Sequence, residues 1–113
     1  MDSITNVFKI LSDETRLRML LLLFKEDLCV CQLSGILKVP QPRISKNLSK
    51  LRDLSLVSDN RQEKYVYYSL KKENTLLIFT IKNIIDNLEF YPQLLLDNQR
   101  ISDKEKYLIK CCI

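Results

Sequence analysis

The chain has 113 residues, 46% apolar and 28% charged, with one Gly, three Pro, four Cys, no His and a formal charge of +4. That is one domain's worth of chain, marginal as an isolated monomer, with too balanced a composition for disorder. So few turn formers exclude an all-β architecture, and the longest pure apolar run, Met19 to Phe24, is too short to cross a bilayer.

The N-terminus "MDSITNVFKI" lacks a basic region followed by an apolar run, and "KCCI" at the C-terminus has Lys110 where a prenylation box requires Cys. The expectation is a cytoplasmic protein whose cysteines are thiols rather than a disulfide framework.

Taken in chain order, Ile4, Val7, Phe8 and Leu11 fall at helical spacing and predict a first helix over residues 3–11. "LSDETRLRMLLLLFKE" restarts a helix with Ser12 or Asp13 as N-cap and acids in the first turn, where they suit the helix dipole. Its centre is apolar nearly all round, so this second helix is expected to be buried. A short third helix fits residues 31–37.

Just before it stands "DLCVCQL", with Cys29 and Cys31 on either side of Val30. Residues i and i+2 diverge by roughly 200° in a helix but share a face in extended chain. The two sulfurs can therefore cooperate only where the backbone is not regular helix.

In "KVPQPRISKNLSKLRDLS", Pro40 and Pro42 punctuate a turn and tolerate a helix start. Ile44, Leu48 and Leu51 then form an apolar stripe, opposite Gln41, Arg43, Ser45, Lys46, Asn47, Ser49 and Lys50. "LVSD" and "KYVYYSL" read as two strands joined by a polar turn at Asn60–Glu63, with Tyr65 and Tyr67 on one face and Val66 and Tyr68 on the other. Residues 41–72 carry eight bases against three acids, +5 there and −1 elsewhere, which suits a polyanionic partner.

The expected architecture is mainly α with a small β-hairpin wing, a winged helix-turn-helix. "ENTLLIFTIKNIIDNL" follows as a helix whose apolar stripe is too broad for one small domain, so a homodimer is expected. In the tail, Ser102 to Glu105 fits a capping box, predicting a last helix from about residue 103 that carries Cys111 and Cys112. The division expected is residues 1–89 for DNA binding and dimerisation and 90–113 as a helical extension.

"LSDETRLRML", "DLCVCQL", "QPRISKNLSKLRDLSLV" and "KYVYYSL", in this order over residues 5–70, resemble the ArsR/SmtB family of metal-sensing repressors, and the Cys-Val-Cys its arsenic-responsive branch. The resemblance implies a homodimeric repressor that leaves operator DNA when a metalloid or soft metal binds. It implies a recognition helix at 41–52, a wing at 59–66, and a dimer interface from the first helix and residues 73–89, with Ile4, Phe8, Leu77, Ile81, Ile84 and Leu88 as contacts.

Gln41, Arg43, Ser45 and Lys46 are then expected on the groove face, with Asn47 and Lys50 beside them, and Arg61 and Lys64 on phosphate or in the minor groove. The chain departs from the family pattern in having Asn47 for a usual His, Glu63 for a usual Gly in the wing turn, and Pro40 for a common Ser.

Soft trivalent arsenic and antimony select thiolates. The resemblance implies a site of three, with the third Cys where this chain has Ser34, so Cys29 and Cys31 are one short and Cys111 or Cys112 is expected to complete the set. The lack of His rules out His-ligated zinc or nickel; the resemblance implies a further N-terminal Cys in the family's cadmium and lead sensors, and its lack before residue 29 favours As(III) or Sb(III) over Cd(II) or Pb(II). No resident cofactor is expected. A thiol-redox or cadmium/lead-responsive repressor of the same fold is the alternative; catalysis is not expected, because Cys-x-Cys lacks the Cys-x-x-Cys redox spacing.

Overall fold

The computed structural model describes residues 2–111, and side chains from Ile4 to Leu108. Helices α1 (Asp2–Leu11) and α2 (Glu14–Lys25) are followed by β1 (Leu28–Cys29), α3 (Val30–Leu37), α4 (Gln41–Asp53), β2 (Val57–Gln62), β3 (Tyr65–Leu70), α5 (Thr75–Ile85), α6 (Pro92–Arg100) and α7 (Lys104–Cys111). Short 3-10 turns lie at Leu88–Phe90 and Ile101–Asp103.

The predicted restart of α2 is realised by Asp13, whose carboxylate accepts from the Arg16 amide at 2.9 Å and so caps one of the helix's unpaired N–H groups. Met19 and Leu20 to Leu23 are all buried, which makes α2 the centre of the core. Each fully buried leucine contributes roughly 1.5–3 kcal/mol. Ile44, Leu48 and Leu51 of α4 close on the same core and leave that helix's polar faces outward.

The sheet is antiparallel with order β1-β3-β2. β1 was not visible in sequence: it is two residues long and pairs Leu28 with Tyr68 and Cys29 with Tyr67. The wing turn also differs from expectation. Gln62 pairs with Tyr65, so the turn is the tight two-residue Glu63–Lys64, and Asn60 to Gln62 belong to β2. Glu63 takes φ 59° to make it, a left-handed conformation costing a non-glycine residue about 1–2 kcal/mol.

Two further corrections concern the C-terminal part. The helix expected across residues 73–88 ends at Ile85, after Asn74 caps it by accepting from the Leu77 amide at 3.1 Å. Ser102 does not cap α7; its hydroxyl donates back to Gln99 O at 3.1 Å within the preceding turn. The helix α6, not anticipated, packs on α2, and Ile101 enters the common core.

Candidate functional site

The thiol pair sits where strand becomes helix. Cys29 has φ −94° and ψ 173° as the N-cap of α3, and Cys31 lies in that helix's first turn. The break in helical geometry that cooperation of the two sulfurs demands is therefore present. Both side chains are buried, yet both line a groove of about 360 Å³ with Val30, Gln41, Ser45, Lys64, Tyr65, Val66 and Tyr68. The two sulfurs, the first turn of α4 and the tip of the wing thus border one space. Cys29 is a free thiol.

Two glutamines hold this junction. Gln32, 1% exposed, accepts from the Cys29 amide at 3.1 Å and donates to Lys104 O at 3.5 Å. Gln41 Nε2 donates to Cys31 Sγ across 3.8 Å, so the amide of this residue, expected on the groove face, is turned toward the cysteine pair. Ser34, which stands where the resemblance implies a third Cys, donates to Val39 O at 2.6 Å and secures the α3–α4 loop. Burial raises the Tyr67 hydroxyl above the usual phenol range, and negative charge at Cys29 acts the same way.

The tail returns to this site. α7 packs along α3, and Tyr107 lies so close to Gly35 that a Cβ there would meet its ring at 2.1 Å. The Tyr65 hydroxyl donates to Leu108 O at 3.1 Å, tying the wing strand to α7. Lys104 pairs with Glu26, and that hydrogen bond raises the lysine above its ordinary range. The expected ligands Cys111 and Cys112 lie outside the described side chains. Among the described residues, no three candidate ligands converge.

The residues expected on DNA divide between two flanks of α4. Gln41 and Ser45 face the thiol groove with Lys64. Arg43, Lys46, Asn47 and Lys50 line a second groove, also about 360 Å³, with Asp13 and Arg16. Asn47 donates to Arg43 O at 3.0 Å, and the exposed Arg52–Asp59 pair at 3.1 Å links α4 to β2. Arg61 is exposed near the wing tip.

Of the expected dimer contacts, Ile4 and Phe8 are exposed and Ile84 is half-buried, but Leu77, Ile81 and Leu88 are buried inside the protomer. The stripe on α5 was read as too broad for one domain; its Leu77–Ile81 side serves the protomer core, and Phe79, 75% exposed, marks the outward side.

Sequence reasoning missed the clamp on the far end of α3. Arg18 donates to both carboxylate oxygens of Asp97, at 2.8 and 2.9 Å, and to Leu37 O at 3.0 Å. Gln93 donates to the same carboxylate at 2.9 Å, and Arg100 to Ile36 O at 3.3 Å. "LSDETRLRML" supplied Arg18, but its partner stands 79 residues away, beyond the reach of any local pattern.

No helix among the described residues is long and apolar enough to cross a membrane. Residues 13–59 match the family model described as bacterial regulatory protein, arsR family. The chain is 47% identical to an arsenic resistance transcriptional regulator of Pseudomonas putida over 59% of its own length and 53% of that protein's. It is 49% identical to the arsenical resistance operon repressor of Escherichia coli over 57% of its length and 56% of that protein's. It therefore spans little more than half the length of these curated relatives.

The transcriptional regulator HlyU of Vibrio vulnificus superposes with a TM-score of 0.66 at 30% identity, covering 75% of this chain and 88% of that one. With the winged-helix fold and the matched segment on the page, the chain belongs to the ArsR family of bacterial regulatory proteins.

Proposed function

We propose that the protein is a homodimeric transcriptional repressor that binds operator DNA and releases it when As(III) or Sb(III) is bound by its cysteine thiolates. The observation that carries this reading is the shared groove: Cys29 and Cys31 border the same space as the first turn of α4 and the wing tip. An ion drawing both sulfurs together acts where the DNA-contacting elements meet.

Each thiol that ligates arsenite displaces one hydroxide as water, so three thiols complete the exchange, with Cys111 or Cys112 as the third. The return of α7 onto α3 supports that assignment. Polar residues of α4 would enter the major groove, and the bases on its flank and on the wing would grip phosphate. Ile4, Phe8, Phe79 and Ile84 offer apolar surface on α1 and α5 for a second copy. For release, the ion must bind the DNA-incompetent form more tightly, and DNA must weaken ion binding by the same factor.

Thiol protection tests the reading. Reduced protein is mixed with arsenite and alkylated, and each cysteine is scored by peptide mass spectrometry. Joint shielding of Cys29, Cys31 and one tail cysteine is expected; four cysteines that alkylate as freely as without arsenite would refute a metalloid site.

The return of α7, the helix that ends at Cys111, onto α3 favours one second reading, an oxidant-responsive repressor of the same fold. Two thiols would give two electrons and two protons to hydrogen peroxide, leaving a disulfide and two waters. Operator release by peroxide, reversed by a thiol reductant and indifferent to arsenite, would identify it.

A further inference from the structure

We propose that Gln41 is the positioning residue that couples the thiol site to the recognition helix, rather than a base-reading residue. The inference rests on the metalloid-responsive reading above and names its transmission contact. It stands on three features of the α3–α4 region.

First, α4 begins without a side-chain cap. Its N-cap is Pro40, which has no side-chain oxygen, and Pro42 in the first turn has no N–H. The start of the helix is closed by the Pro40 carbonyl, which accepts from Arg43 N at 3.0 Å and Ile44 N at 3.2 Å. Second, the contact from Gln41 Nε2 to Cys31 Sγ at 3.8 Å joins the first helical residue of α4 to the first turn of α3. Third, Gln41 and Ser45 line the shared groove with Cys29 and Cys31, whereas Arg43, Lys46, Asn47 and Lys50 line the opposite one. The flank of α4 that carries Gln41 is the flank that senses the sulfurs.

The chemistry gives the contact a direction. Before ligation the Cys31 sulfur offers lone pairs to the amide N–H of Gln41. Ligation replaces the S–H bond by a bond to the ion, which redirects the lone pairs and draws the atom toward its co-ligands, so the acceptor moves off the amide. Gln41 loses its anchor, and the uncapped first turn of α4 loses a lateral restraint. A neutral amide suits this role, since it holds the sulfur in one state and releases it in the other without leaving an unpaired charge buried.

Gln41→Met keeps the length and neutrality of the side chain but removes the donor. Phosphine-reduced wild type and Q41M are each titrated onto a fluorescent duplex selected from a random pool by the reduced wild-type protein, with and without arsenite. Arsenite affinity of the free proteins is measured alongside. The expected result is equal arsenite affinity for the two, a loss of operator affinity on arsenite of about tenfold or more in wild type, and a loss below about threefold in Q41M.

Equal losses in both proteins would overturn the role of Gln41 and leave the metalloid reading intact. So would normal release by Q41M with a change only at one base pair of the selected duplex, the mark of a base-reading residue. Failure of wild type itself to bind arsenite or to release would overturn both.

Discussion

At its C-terminal end α3 is held by cations: Arg18 and Arg100 donate to Leu37 O and Ile36 O, and Arg18 is itself fixed by two bonds to Asp97. At its N-terminal end the same helix is held by neutral amides, with Gln32 reaching Cys29 N and Lys104 O, and Gln41 reaching a sulfur at 3.8 Å. Charge-assisted bonds are roughly twice as strong as neutral ones. The two ends therefore divide the work: one is the fixed end of the helix, and the other, where Cys29 and Cys31 lie, is the end that the proposed function has an ion move.

Breaking the fixed end should have the largest effect. Asp97→Ala leaves Arg18, whose side chain is 12% exposed, as a poorly solvated charge without its partner. It should cost about 3–5 kcal/mol of stability, read as a lowered midpoint in urea. Replacing both partners, Arg18→Met with Asp97→Leu, should recover most of that loss, because an apolar pair leaves no stranded charge. A double variant as unstable as the single one would show that the clamp does not hold the helix through its charges.

The middle of α3 is tested by Gly35→Ala. The added Cβ collides with the Tyr107 ring, and α7 must shift at a cost of about 1–3 kcal/mol. Adding Tyr107→Ala should cancel the collision, though not the packing that Tyr107 contributes. In urea denaturation, G35A should therefore cost less in the Y107A background than alone; the same cost in both backgrounds would remove α7 from the face of α3.

The smallest effect belongs to the half-buried Lys104–Glu26 pair that fastens the start of α7. Folding raises the lysine, so the pair's contribution is fully present below the unfolded lysine value of about 10.4 and is lost as pH rises through the higher folded one. Urea midpoints measured between about pH 9 and 12 should fall less steeply in Glu26→Gln than in wild type. Parallel slopes would show that the pair contributes no pH-dependent stability.

What was legible in sequence follows the same division between local and distant causes. Periodicity placed α1 and α4, where Val7, Ile44 and Leu48 meet the core at helical spacing, and a cap followed by an apolar run placed α2, where Met19 is buried. The extended backbone at Cys29 meets a condition that i,i+2 geometry sets for cooperation of the two sulfurs but does not by itself predict. The tail was opaque because its order comes from partners far away: Asp97 is explained by Arg18, Tyr107 by Gly35, and the Leu108 carbonyl by Tyr65. β1 has only two residues and exists through pairing with β3. The α5 stripe misled in a different way, since hydropathy shows that Leu77, Ile81 and Phe79 are apolar but not which of them faces the protomer's own core.

The central claim is that the Cys29/Cys31 junction governs the hold on DNA, and the most direct measurement is operator affinity of the reduced protein with and without arsenite, in wild type and in Cys29→Ser. Cys29 is the free thiol at the helix cap, and serine keeps its size while removing a soft ligand. The account predicts that arsenite weakens wild-type binding about tenfold or more and leaves C29S bound. Release of C29S by arsenite to the same extent as wild type would contradict it.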